Sequence, residues 1–406
     1  MHDEKLSIGI VVFHEDRSTD FAISSAKAQS DICNEIIISD NNVNRSHDVI
    51  KSWNQDLRVK YINSGCNIGM FQNFVRAYDN STNRYFCWLS DDDFIHPKLS
   101  ETIALEIARN SDDVVAWTGL STVHTNDYCS RLSGRIFPSF ISDKRIERLR
   151  DVAYLGQYGY PFYSIIDKNK ISIETLRRFC DWPAPVEGLD WAWIYSLALR
   201  GKIKVIPQQM YYYNLENWAV NGSGVSGQRK KFTNAIRKEF HTNEELIEEL
   251  TKLNRCLLYL SYTFSDYIDF VNSNNAAYSA KDVNDLIKLW CHDMVNKLFR
   301  MTPLNLVSSE KYHHFLKSQN LRDFIFNLAD FYDQYLINPL VGEFVRKIFS
   351  PELCEDQMKI MNTPLKKIKR KSFSIREIQT KKLKLLMYFL KSMLCDKVIL
   401  LPGISK

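Results

Sequence analysis

Trp88-Leu-Ser-Asp-Asp-Asp93 sets three carboxylates directly behind an aromatic-rich apolar run. Three adjacent like charges repel, so the cluster calls for a cation or for strong solvation. If the chain is still extended there, carboxylates at i and i+2 point the same way and can share one hard cation. Mg²⁺ or Mn²⁺ held by Asp91, Asp92 and Asp93 would keep open positions for the oxygens of a substrate phosphate. A solvated acidic turn is the plain alternative. The element in front of the triplet decides between them.

That element is the fourth strand of an alternating series. Leu6-Ser-Ile-Gly-Ile-Val-Val-Phe13 is β-branched and apolar, as a buried parallel strand requires, and Glu35-Ile-Ile-Ile-Ser-Asp40, Val59-Lys-Tyr-Ile62 and Tyr85-Phe-Cys-Trp-Leu89 continue the pattern. Helical stretches at 19–30, 49–53 and 70–78 separate them. The β-α-β-α-β-α-β order predicts a parallel sheet with right-handed crossovers. Ligands on such sheets bind beyond the carboxyl ends of the strands, where Asp40 and the acidic triplet fall.

Beyond about residue 230 Gly and Pro thin out and helical periodicity takes over. Thr242-Asn-Glu-Glu245 reads as a capping box ahead of Leu246, Leu250, Leu253 and Leu257. Further helices are expected over 282–298 and 321–335, punctuated by Pro303 and Pro339. Asn221-Gly-Ser-Gly-Val-Ser-Gly227 closes the first unit. The expected organisation is an α/β domain over 1–228, an all-α domain over 229–362 and a basic tail over 363–406.

The bulk properties narrow the function classes. The 406 residues are 45% hydrophobic and 25% charged, a globular balance that excludes a mostly disordered chain. The apolar runs are too short for a spanning helix, which needs roughly 20 residues, and no signal-peptide core follows the polar first residues. Nine scattered cysteines without a CxxC pair point to reduced thiols and a cytoplasmic location. The net charge of +5 is uneven: 365–392 carries ten Lys/Arg against Glu377, leaving the remainder at −4. Ile375, Ile378, Leu385, Leu386, Phe389 and Met393 recur there at roughly helical spacing, as in a basic amphipathic helix on an anionic membrane surface. Packing on the helical domain or on a second subunit explains the same pattern. No zinc-ligand spacing, Walker loop or GxGxxG occurs, and no nucleic-acid-binding module accompanies the charge.

Strand one, the Asp40 turn, Asn67-Ile-Gly-Met-Phe-Gln-Asn73, Trp88-Leu-Ser-Asp-Asp-Asp-Phe-Ile-His-Pro97, Glu187-Gly-Leu-Asp190 and Tyr211-Tyr-Tyr-Asn-Leu-Glu-Asn217 occur in an order and spacing that resemble family 2 glycosyltransferases. The resemblance covers roughly the first 225 residues. It implies a GT-A-like, Rossmann-type, mostly parallel sheet flanked by helices, a nucleotide-sugar donor and inversion at the anomeric carbon.

Carried over by position, the resemblance places Phe13, His14 and Glu15 against the nucleobase and Asp40 on the base or ribose. Asn67 and Gly69 become the turn before the helix that bears Asn73, all three on the donor side; a plain strand-to-helix turn is the alternative. Family members write Asp-x-Asp-Asp ahead of a spacer and Pro. Counting back from Pro97 puts Ser90 in the first position and makes Asp92 the metal ligand, whereas Asp-x-Asp spacing selects Asp91 and Asp93. Asp190 aligns with the catalytic base, Leu189 replaces the Glu before it, and Glu187 is the second candidate. A carboxylate suits that position because a sugar hydroxyl attacks only as its proton is accepted, although an ordinary helix N-cap would also place Asp190 there. Trp191, beside it, is the best acceptor-stacking candidate among Trp182, Trp191, Trp193 and Trp218, each of which could equally be core.

The resulting expectation is a metal-dependent inverting glycosyltransferase, using Mn²⁺ or Mg²⁺ and probing a glycan or lipid-linked acceptor, with uridine the family's commonest base. Surface polysaccharide or lipooligosaccharide assembly, with peripheral attachment to the cytosolic face of the inner membrane, is the setting that the family implies. A nucleotidyltransferase and a catalytically silent scaffold are the competing readings.

Overall fold

The computed structural model describes residues 5–13, 17–109, 113–124, 130–135, 139–155, 160–174, 176–177 and 189–214, together with Asp266, Phe270, Asp323 and Phe326. The expected helical domain and basic tail otherwise lie outside the described residues. So do His14, Glu15 and Glu187.

The first half follows the alternation in the sequence. β1 (Leu6–Val12), α1 (Arg17–Lys27), β2 (Cys33–Asp40), α2 (His47–Trp53), β3 (Val59–Asn63), α3 (Met70–Asp79) and β4 (Tyr85–Ser90) succeed one another. β1 pairs in parallel with β2 and with β4, and β2 with β3. Every residue of β1 is buried, which is why its sequence is a continuous apolar run instead of an alternation.

The second half departs from a parallel sheet. β5 (Phe94–Ile95), α4 (Leu99–Arg109), β6 (Val114–His124), β7 (Ser130–Arg135), α5 (Arg145–Leu155), a 3₁₀ turn at Tyr160–Tyr163, β8 (Ile165–Asp167), α6 (Leu189–Arg200) and β9 (Lys202–Asn214) complete it. The nine described strands run β3-β2-β1-β4-β8-β6-β9-β5, with β7 on β6. The three-residue β8 is antiparallel to both β4 and β6, so the sheet is mixed. β6 and β9 restore a parallel pair. The expected strand over 202–207 is longer than expected, since β9 continues past Pro207 to Asn214. The register there jumps from Gly119↔Ile206 to Leu120↔Gln209. Pro has no N–H for the ladder, and a bulge removes it from the pairing.

Aromatic side chains fix the helices to this sheet. Trp88 is fully buried, stacks on Phe162 at 5.2 Å and meets Trp193 edge-on at 5.6 Å. Its indole N–H donates to the Phe74 carbonyl at 2.9 Å, tying β4 to α3. Trp193, one of the four Trp with two open readings, is therefore core. Truncating one ring of such a cluster costs about 3–5 kcal/mol. α3 approaches β1 so closely that a Cβ on Gly9 would stand 2.6 Å from Phe86 Cζ and 3.0 Å from Ala77 Cβ.

Contacts also reach residues beyond 214. The Arg200 guanidinium grips Asp266 through two bonds of 2.8 and 2.7 Å. Phe270 lies beneath both Arg145 and Arg200, at 4.9 and 5.5 Å. Among the described residues no helix is long and apolar enough to cross a membrane, and Cys33, Cys66 and Cys87 are free thiols.

Candidate active site

The carboxyl ends of β1, β2 and β4 open on one edge of the sheet, and the acidic turn sits at its centre. After Ser90 the chain turns instead of staying extended. The alternation that would have aimed Asp91 and Asp93 the same way is therefore lost. Asp91 Oδ2 accepts the Phe13 amide at 2.8 Å, at the end of β1. Asp93 Oδ1 accepts the Asn214 amide at 2.9 Å, at the end of β9. The triplet thus ties together the two segments that leave the sheet on either side of it. Asp92, between them, is only partly buried.

Burial pushes the Asp93 carboxyl well above its ordinary range, and the charges of Asp92 and Asp91 push the same way, against the Asn214 amide. A positive ion beside the turn would relieve that penalty. The donor set fits a hard dication, being carboxylate oxygen throughout. Among the described residues no three such side chains converge to hold one. A turn that supplied two of its three carboxylates would still suit Mg²⁺, which keeps several waters and takes further oxygens from substrate phosphates.

Two tyrosines flank the turn. Tyr163 ends the 3₁₀ turn and its hydroxyl meets Ser90 Oγ at 2.7 Å. Its ring lies 5.4 Å from that of Tyr213 on β9. Burial raises the Tyr163 hydroxyl well above its ordinary value, and the charges of Asp93, Asp92 and Asp190 add to this. The charge of Asp190 thus acts on the same hydroxyl as the charges of the acidic turn. Asp190 stands in the first turn of α6, half-buried, where the helix dipole favours a carboxylate. The backbone of Trp191 follows it in α6, but its side chain lies outside the described residues.

Two donor-side candidates, Asp40 and Asn73, lie in enclosed positions. Asp40 has no exposed surface. Its oxygens accept Arg45 Nε at 2.7 Å, Arg45 Nη2 at 3.0 Å, the Tyr61 hydroxyl at 3.0 Å and the Asn42 amide at 2.8 Å. A carboxylate so engaged orders the turn after β2 and has no surface to offer a base or ribose. Asn73 is likewise enclosed. Its amide nitrogen donates to the Ser39 carbonyl at 2.9 Å and the Val12 carbonyl at 3.3 Å, while its oxygen accepts Ser39 Oγ and Arg76 Nη2, both at 2.7 Å. It clamps the ends of β1 and β2 together. Sequence spacing marks both positions but not their distant partners, because Tyr61, Val12 and Ser39 belong to other elements.

Asn67 and Gly69 stay at the exposed edge. Asn67 Oδ1 accepts the Gly69 amide at 2.9 Å, an Asx turn. Gly69 starts α3 at φ 87°, ψ 160°, a region essentially closed to residues with a Cβ. Nothing lies within 4 Å of a Cβ placed there, so Gly69→Ala acts through backbone strain alone. We expect it to lower stability by about 1–3 kcal/mol, read as a shifted thermal midpoint. Phe13 is 44% exposed at the same edge. Tyr163 carried no sequence signal of a site role; Tyr213 fell within the Tyr211–Asn217 stretch of the resemblance, and Ser90 took the first position of the acidic motif in one of its two registers.

A mixed sheet with parallel β3-β2-β1-β4, flanking helices and an acidic turn at its carboxyl edge defines a GT-A-like α/β fold. Residues 7–167 match the model of Glycosyl transferase family 2. The match is confined to those residues, which hold β1 to β8 and the acidic turn. No curated protein matches the chain. Among solved structures, S. aureus TarS 1-349 is similar at 13% identity, over 85% of this chain and 90% of that one, with a TM-score of 0.41. The same protein in complex with UDP aligns at 12% identity over 91% and 92%, with a TM-score of 0.42.

Proposed function

We propose that this chain transfers a sugar, with inversion, from a nucleotide-sugar donor to a hydroxyl of a glycan or lipid-linked acceptor. The observation that carries the reading is that the charges of the acidic turn and of Asp190 act on the same Tyr163 hydroxyl, in a chain that matches the family 2 model over residues 7–167. The donor diphosphate lies at the turn and the acceptor hydroxyl beside Asp190. The acceptor oxygen forms its bond to the anomeric carbon as the bond to the diphosphate breaks. Its proton passes to the Asp190 carboxylate, and the bonding pair leaves with the diphosphate.

Asp92 is the residue we assign to a divalent ion, Mn²⁺ or Mg²⁺, by its place counted back from Pro97, with Asp91 and Asp93 as the alternative pair. Such an ion, when bound, would supply positive charge to offset that developing on the leaving diphosphate. Phe13 and the two residues after it meet the base, with uridine the first to test. The +9 stretch over 365–392 supports an acceptor presented at an anionic membrane surface, and so a peripheral protein on the cytosolic side.

The test is product release from a panel of UDP-, GDP- and CMP-sugars, with Mn²⁺ and with chelator. We expect release of the nucleoside diphosphate, falling roughly a hundredfold or more when the metal is removed, as the loss of several kcal/mol of charge stabilisation implies. Asp92→Asn should reproduce the chelated rate and weaken Mn²⁺ binding in a direct titration. Equal rates in both arms would remove the metal from the mechanism. Pyrophosphate as the product would instead make the chain a nucleotidyltransferase.

A further inference from the structure

The Ser90–Tyr163 pair has more protons than its one bond uses. Two hydroxyls 2.7 Å apart share a single hydrogen bond, whichever of them donates. One O–H is therefore left over. Among the described residues neither side chain has another hydrogen-bonding partner. The pair is held in place from both sides: Ser90 ends β4, and the 3₁₀ turn is anchored by Phe162, which stacks on Trp88 at 5.2 Å and meets Phe74 edge-on at 5.2 Å. The charges of Asp93, Asp92 and Asp190 all act on the phenol. An uncharged donor among acceptor-only groups matches a sugar hydroxyl, which can accept from the O–H and donate to a carboxylate at once.

We infer that Tyr163, oriented by Ser90, contacts a hydroxyl of the transferred sugar between the acidic turn and Asp190, and so contributes to recognition of the donor sugar as distinct from its nucleotide. This rests on the glycosyltransferase reading. The shape of the recognition differs from a charged contact: a neutral donor adds no charge beside the leaving diphosphate and tolerates any sugar that presents an oxygen at that point. In the register counted back from Pro97, Ser90 takes the first position of the acidic motif, and its hydroxyl meets the tyrosine there.

The experiment is a binding titration of full-length Tyr163→Phe against UDP, GDP, UDP-glucose, UDP-GlcNAc and GDP-mannose, with deoxy forms of whichever sugar nucleotide binds. Tyr163→Phe should leave affinity for the bare diphosphate unchanged and weaken the sugar nucleotide roughly three- to tenfold, as the loss of one neutral hydrogen bond implies. One deoxy donor should bind the wild-type protein as weakly as the intact donor binds the variant, with no further loss when the two are combined. Ser90→Ala, which keeps the phenol and removes its anchor, should show the same split. Unchanged sugar-nucleotide affinity, or an equal loss for the bare diphosphate, would overturn the assignment while leaving the enzyme reading intact. A wild-type protein that binds none of the five would overturn both.

Discussion

Asp190→Asn should reduce turnover by roughly 10²–10⁴-fold, the usual contribution of a positioned general base. The substitution keeps the shape of the side chain and removes its ability to take a proton. Because Asp190 is only half-buried in the first turn of α6, the fold should survive with a small change in thermal midpoint. Nucleoside diphosphate affinity should also survive, since the base acts on the acceptor and not on the nucleotide. Initial rates of diphosphate release, measured beside a calorimetric scan, separate chemistry from stability. A variant within tenfold of the wild type would dismiss Asp190 as the base, and Glu187→Gln would then be the substitution to measure. Loss of activity accompanied by unfolding would reduce Asp190 to a structural helix residue.

Asp40→Ala should show the opposite profile, a large loss of stability without a change in nucleotide affinity. The Asp40 and Arg45 side chains are 0% and 1% exposed, and their nearest contact is 2.7 Å. Removing the carboxylate strands a guanidinium in a site with little water, and breaking such a pair costs about 3–5 kcal/mol. At roughly 2–4 °C per kcal/mol for a domain of this size, the midpoint should fall by about 6–20 °C. Tyr61 and the Asn42 amide lose their acceptor at the same time. Arg45→Met in the Asp40→Ala background should recover part of the loss, since it removes the uncompensated charge. That recovery is the signature of an ion pair; a ligand-binding carboxylate would not show it. An unchanged midpoint with weakened nucleotide binding would return Asp40 to the donor site.

The same position shows how far each kind of information reaches. That Asp40 ends a strand at the carboxyl edge of a sheet was legible, because β2 is a β-branched run followed by turn formers. That its charge is consumed by Arg45 was not, since a salt bridge five residues on looks no different in sequence from a solvated pair. Asn73 repeats the point across longer distances, with Val12 and Ser39 as partners. The acidic triplet was visible as a cluster, but its division was not. Whether residues 91–93 are extended or turned decides which way each carboxylate faces, and that depends on β9 arriving with the Asn214 amide.

Local chemistry was enough for the N-terminal α/β alternation and for the match to a glycosyltransferase family, because buried parallel strands demand continuous β-branched runs and a charged motif keeps its residues in fixed order. The antiparallel insertion of β8, the continuation of β9 past Pro207 and the meeting of Ser90 with Tyr163 belong to the tertiary structure alone. These depend on contacts between residues dozens of positions apart, formed where packing of Trp88, Phe162 and Trp193 sets the spacing. Periodicity along a chain carries information about which face a residue takes, and almost none about which distant residue it will face.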